Sequence, residues 1–100
     1  MPYDIVMHEL AVRELEDLRA FDQRRLVAEI RGQLSDQPTT ATRRRKCLID
    51  LTPSFEHDLP VWELRVGPFR VFYDVADEDR RVHVRAIRRK QPPQKTEDIL

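Results

Sequence analysis

Apolar and polar residues change their spacing several times along the chain, and each change marks an element. "YDIVMH" (Tyr3–His8) alternates as a strand does. Leu10, Val12, Leu15, Leu18 and Phe21 then recur at helical intervals, with Glu14, Glu16, Asp17 and Arg19 between them. Asp22 is placed to cap a second helix, whose apolar face holds Leu26, Val27, Ile30 and Leu34. That helix is expected to end around Ser35–Pro38, because proline cannot continue it. A polar loop "DQPTTAT" follows, and "RRRKCLIDL" enters a strand at Lys46–Leu51. Beyond the connection "TPSFEHDLP", strands are expected at about 61–66, 69–76 and 82–87, separated by Gly67-Pro68 and by "DEDRR". The tail "KQPPQKTEDIL" has room for one terminal helical turn. The order βααβββ(β) predicts an α+β fold. An N-terminal strand and a two-helix hairpin pack on one face of a mostly antiparallel sheet of four to five strands, in one domain spanning residues 1–100.

The hairpin "WELRVGPFRVFYDV" fixes which side chains share a face. Pairing Val66 with Phe69 sets Arg65 opposite Arg70 and Trp62 opposite Tyr73. Continuing strict alternation into the next strand pairs Tyr73 with Val84, Phe72 with Arg85 and Val71 with Ala86. One face then collects Trp62, Leu64, Val66, Phe69, Val71, Tyr73, Val75, Val82, Val84 and Ala86, all apolar or aromatic. The other collects Val61, Glu63, Arg65, Arg70, Phe72, Asp74, His83, Arg85 and Ile87, with Arg89 at the same parity. No remaining element is assigned to cover this second face, so it is expected to be open. Two arginines directly opposite repel, but a phosphate between them reverses the sign, and the planar guanidinium fork suits phosphate. Phe72 would offer an unstacked base a platform.

Charge strengthens that picture. The formal net charge is zero, yet residues 1–36 carry eight acids against five arginines, and the other 64 carry thirteen bases against ten acids. Arg43-Arg44-Arg45-Lys46 is one basic cluster, and the span Arg80 to Lys90 has six bases and no acid. Local fields of this kind, more than net charge, decide whether a polyanion binds. The single Cys47 excludes an internal disulfide and fits a reducing cytoplasm. The N-terminus lacks the apolar core of a signal peptide, and no apolar run is long enough to span a membrane. His8, His57 and His83 have no metal-ligand spacing, there is no Cys-x-x-Cys, and two glycines make no phosphate loop, so neither metal nor cofactor is expected.

The helical hairpin, the "RRRKCL" entry, "LRVGPFRVFYDV" with its acidic turn, and "VHVRAIRRK" together resemble the RelE/ParE toxin superfamily of bacterial type II toxin–antitoxin systems. The likeness runs from about Tyr3 to Lys90. It implies a cytoplasmic toxin held by a cognate antitoxin, with operator DNA reached only through that antitoxin. RelE-like members cleave mRNA in the ribosome without a metal, a 2′-hydroxyl attacking the adjacent phosphate. ParE-like members instead poison DNA gyrase, and a catalytically inactive member acting as an antitoxin-binding or operator-binding partner is a third possibility. The basic second face favours the endoribonuclease.

By position, the resemblance gives Arg70 the contact with the scissile phosphate, with Arg65 and Lys90 beside it as catalytic candidates. Arg45, Lys46, Phe72, Arg85 and Arg89 are the candidates for holding RNA. The chain also departs from the ribosome-dependent nucleases. Val61 and Glu63 stand where those carry lysines, and Gln94, Lys95 and Thr96 where a tyrosine is expected. Some RelE-like nucleases use a glutamate and a histidine instead, for which Glu56, His57 and His83 are available.

Overall fold

A computed structural model of the chain describes residues 2–100. Strand β1 (Asp4–Met7) leads into helix α1 (Glu9–Glu16) and helix α2 (Ala20–Leu34). Strands β2 (Arg45–Cys47), β3 (Trp62–Val66), β4 (Phe69–Ala76) and β5 (Arg81–Arg89) follow, and a 3-10 turn, Thr96–Ile99, closes the chain. The five strands lie in the order β1-β5-β4-β3-β2, antiparallel except where β1 runs parallel to β5. The expected α+β architecture is therefore present, with five strands.

The corner between the helices is made without glycine or proline. Arg19 takes an extended conformation ahead of α2, and the Gln23 amide donates to the carbonyls of Leu18, at 2.7 Å, and Glu16, at 3.3 Å. One side chain so satisfies carbonyls that the end of α1 leaves without partners. Asp22, expected to cap α2, lies inside its first turn and accepts from Arg19 at 3.2 Å. An acid there still complements the helix dipole. Ala11, Leu26, Ile30 and Leu34 meet Trp62, Leu64, Val66, Phe69, Val71, Tyr73, Val82 and Val84 in the main core. The buried Tyr73 hydroxyl donates to the Pro38 carbonyl at 2.6 Å and ties down the loop after α2.

Pairing of β3 with β4 follows the expected register from Trp62↔Tyr73 to Val66↔Phe69, including Arg65↔Arg70. Pairing of β4 with β5 does not. Tyr73 meets Val84, but a bulge between Phe72 and Tyr73 brings Phe72 to Ala86 and Val71 to Ile87. The bulge leaves Arg85 as the extra residue and reverses every side chain after it. Ile87 joins the helix-side core and Ala86 the opposite side. Arg89 comes opposite Phe69 and lays its guanidinium 4.7 Å from that ring's centroid. Arg88, not Arg89, occupies the second face.

That second face is not open. Phe55, from the connection before β3, and Ile99, from the C-terminal turn, bury themselves against Val61, Phe72 and Ala86. Thr96 Oγ1 donates to Glu63 Oε2 at 3.0 Å, and Arg88 donates to the Ile99 carbonyl at 3.2 Å. The tail and the connection thus form a second layer over the lower sheet. They supply the apolar partners that Val61 and Phe72 would otherwise lack.

At the other edge, His8 Nε2 lies 2.9 Å from His83 Nδ1, one ring donating and the other accepting. Arg85, Asp74 and Glu56 are charges that act on His8, and Glu9 and Arg13 line the same hollow. Burial, then Arg85, then His83 hold His8 below its ordinary 6.5, while Asp74 and Glu56 oppose the shift. The folded state therefore takes up protons less readily than the unfolded chain. Stability is full above about pH 6.5 and falls as pH drops through the unfolded value toward the lower folded one. Urea midpoints at about pH 7.5 and about pH 5.5 are expected to differ in that direction, and His8→Gln to reduce the difference. An unchanged difference in His8→Gln would remove the pair as its source.

Candidate nucleic-acid interface

The tip of the β3–β4 hairpin and the loop before β2 enclose a concavity of about 180 Å³. Arg43, Lys46, Glu63, Arg65, Arg70 and Lys90 are among the residues that line it. Strand phase directs Glu63 and Arg70 into it, while the Lys90 amide bonds the Pro68 carbonyl at 2.8 Å and places the end of β5 beside the turn. Among the residues singled out from sequence, Arg65, Arg70, Lys90, Arg45 and Lys46 therefore come together.

Their electrostatics differ sharply. Arg70 is only 11% exposed and its Nε sits 3.2 Å from Glu63 Oε1. Its Nη1 donates to the carbonyls of Gly67 and Phe69, each at 2.8 Å. Burial lowers the affinity of Arg70 for its proton, Glu63 opposes that, and Arg65 adds to it. Arginine stays charged regardless. Glu63 is itself buried and also lies 3.8 Å from the Lys46 ammonium. A carboxylate thus separates the two arginines from unrelieved repulsion. Arg65 is exposed, and with Lys90 it has no ion-pair partner among the described residues.

Of the residues expected to hold RNA, Phe72, Arg85 and Arg89 lie outside the concavity. Phe72 is fully buried, 5.8 Å from the Phe55 ring centroid, and presents no face to a base. Arg85 is buried and held by Asp74, with Nε 2.7 Å from Oδ2, while Asp58 and Glu56 approach at 3.4 and 3.5 Å. The Asp74 hydrogen bond raises its pKa above the ordinary value, so its charge is already matched inside the protein. Arg45 lines the concavity but is largely buried, and its guanidinium donates to the Gln33 carbonyl at the end of α2. Arg89 is turned to the helix side over Phe69. Lys46 remains exposed beside Glu63. Of the possible acid–base residues, Glu56 is in the Arg85 network, His83 bonds His8, and His57 Nδ1 lies 2.8 Å from the Phe55 carbonyl. None of the three lines the concavity.

In the sequence Arg43 stands in a basic cluster with no assigned place in the site, and the helix residue Arg25 carries no signal for it. Arg43 lines this concavity, and Arg25 lines its neighbour. The missing signal for Arg25 was tertiary: nothing local says that an exposed position on α2 reaches the hairpin tip. Among the described residues no group of three or more His, Cys, Asp or Glu could hold a metal ion. No helix among them is long and apolar enough to cross a membrane.

Comparison with known proteins agrees with the architecture. The archaeal RelE–RelB complex from Pyrococcus horikoshii OT3 contains a chain 24% identical, matched over 92% of this chain and 99% of that one with a TM-score of 0.70. The toxin–antitoxin complex RelBE2 from Mycobacterium tuberculosis gives 24% identity over 90% and 100%, with a TM-score of 0.67. The isolated Escherichia coli RelE toxin gives 16% identity over 92% and 88%, with a TM-score of 0.50. These likenesses establish the fold. None of the curated proteins matches the sequence. The family model described as the ParE toxin of the type II toxin–antitoxin system parDE matches residues 5–92, and over that length, on a RelE-like sheet with its two-helix layer, the chain belongs to the ParE toxin family and is a toxin of a type II toxin–antitoxin system.

Proposed function

We propose that the chain, acting as one toxin domain in the cytoplasm, binds mRNA in its basic concavity and cleaves it on the ribosome without a metal. The observation that carries this is the convergence of Arg65, Arg70, Lys46, Lys90 and Arg43 on one small cavity with a single carboxylate on its wall. The 2′-hydroxyl gives up its proton and bonds to the adjacent phosphorus, while the bond from phosphorus to the 5′-oxygen breaks and that oxygen takes up a proton. A 2′,3′-cyclic phosphate and a 5′-hydroxyl result, and negative charge builds on the phosphoryl oxygens on the way. Cations fixed in advance around that point stabilise it without reorganising. Arg65 and Lys90, without an ion-pair partner among the described residues, are suited to the phosphoryl oxygens, and Arg70, held by Glu63 and two carbonyls, to orienting them.

Neutralisation of Arg70 by Glu63 favours a second reading, a ParE-like poison that binds DNA gyrase and hydrolyses nothing. One experiment separates the two. Expression of the chain alone is expected to arrest growth with new 5′ ends in coding regions of translated mRNA, mapped by primer extension. Intact transcripts together with gyrase-dependent DNA breaks would instead support the gyrase poison.

A cognate antitoxin is the proposed protein partner, as the Pyrococcus and Mycobacterium relatives are complexes of this kind. The exposed cations suit an acidic segment of that partner, whose affinity should then weaken with salt.

A further inference from the structure

A second concavity, of about 460 Å³, opens on the helix side of the same hairpin tip. Arg25, Glu29, Arg43, Arg44, Arg65 and Gly67 are among the residues that line it. Its one acid is engaged, Glu29 lying 3.2 Å from Arg44. Arg25, Arg43 and Arg65 have no ion-pair partner among the described residues. Three uncommitted guanidinium groups around one hollow repel one another, and an anion there relieves that cost.

Gly67 explains how Arg25 is seated. The residue has φ +56°, the left-handed region open to glycine, and a Cβ built on it would stand 2.9 Å from both terminal nitrogens of Arg25. The turn therefore needs glycine, and its bare backbone gives the guanidinium a close seat. On the other side of the same residue, the Gly67 carbonyl accepts from Arg70. Arg43, Arg44 and Arg65 line both concavities, so the two are continuous over the tip.

From this continuity, and resting on the RNA-binding reading above, we infer that the Arg25 hollow is a second phosphate subsite for the same RNA strand. The strand passes from the Arg70–Lys90 concavity over Arg65 to Arg25 on α2. Glu63 and Arg70 belong to the tail side of the sheet and Arg25 to its helix side, so an occupant of both must bend around the hairpin tip. A flexible single strand does this readily. A duplex stiff over about 150 base pairs does not.

The test measures binding of the full-length chain to 2′-O-methylated RNA, which cannot be cleaved through its 2′-oxygen. Oligonucleotides of about four and about twelve residues are compared with a duplex of the longer sequence. Arg25→Gln is expected to weaken binding of the longer strand about fivefold and to reduce its salt slope by about 0.7, the increment for each single-strand phosphate that a protein neutralises. The shorter strand, filling the first concavity alone, should bind both proteins equally, and the duplex should bind less tightly than the longer strand. Lys90→Gln should weaken both strands. If Lys90→Gln weakens binding while Arg25→Gln leaves affinity and slope unchanged for the longer strand, the subsite is wrong and RNA binding stands. If neither substitution matters, RNA binding at this tip and the subsite fall together. Weakening by Arg25→Gln of an acidic protein partner but not of RNA would assign the hollow to that partner and overturn the inference.

Discussion

Glu63→Ala is expected to cost about 3–5 kcal/mol of folding stability, the range for removing one partner of a buried ion pair. Glu63 and Arg70 have side chains only 4% and 11% exposed, so deletion of the carboxylate leaves a guanidinium charge with little water and with Arg65 opposite it in the ladder. Thr96, which anchors the C-terminal turn through Glu63, loses its acceptor at the same time. Glu63→Gln keeps an acceptor for Thr96 but not the charge, and should fall between the alanine variant and the parent. For a chain of this size, a loss of 3 kcal/mol corresponds to a fall in Tm of more than about 12 °C. The double variant Glu63→Ala/Arg70→Ala should lose less than the sum of the single changes, because no uncompensated ion remains. Equilibrium denaturation of the parent and these variants tests this. A loss under about 1 kcal/mol in Glu63→Ala would mean that water reaches Arg70 freely.

Glu63 also marks how far the sequence could be read. Alternation on both sides of Gly67-Pro68 was sufficient for the β3–β4 register, because a one-residue slip would turn every apolar residue of the hairpin outward. From that register followed the Arg65–Arg70 pairing, though not the hollow around it, which the loop before β2 and the end of β5 complete. The β4–β5 register failed at one residue. Its trace was present, since Ala86 and Ile87 are adjacent apolar residues where strict alternation allows only one inward. An inserted residue such as Arg85 accounts for them. The covered second face also had a signal in Phe55, Val61, Phe72 and Ile99, apolar residues with no place in the helix-side core. What sequence could not show was that the tail after β5 returns across the sheet. That depends on tertiary partners: Thr96 on Glu63, and Ile99 on Phe72 and Phe55. The helix corner was hidden for a similar reason, since Gln23 becomes its cap only once α2 has folded back on α1.

Arg65→Ala should abolish growth arrest while leaving the protein folded. Its side chain is exposed and has no ion-pair partner among the described residues, so its loss should change stability by no more than about 0.5 kcal/mol. Loss of a cation aimed at developing phosphoryl charge typically lowers the rate by about 10²–10³, and RNA cleavage in the variant should fall by that order. Arg70→Ala is a poorer probe. It is expected to lose activity too, but it leaves Glu63 buried with only Lys46 and Thr96 beside it, so reduced folding would contribute to any loss of toxicity. Arg65→Lys distinguishes simple charge from the guanidinium fork. A point charge restores long-range attraction for RNA but not two parallel hydrogen bonds to one phosphate, so it should recover binding more than cleavage. Growth after induction, primer extension on total RNA and a thermal melt, made on the parent and both Arg65 variants, give the three readouts needed. Full arrest and unchanged cleavage by a well-folded Arg65→Ala protein would remove this residue from the chemistry. Arrest without any transcript cleavage, in parent and variant alike, would transfer the toxin to the gyrase-binding class.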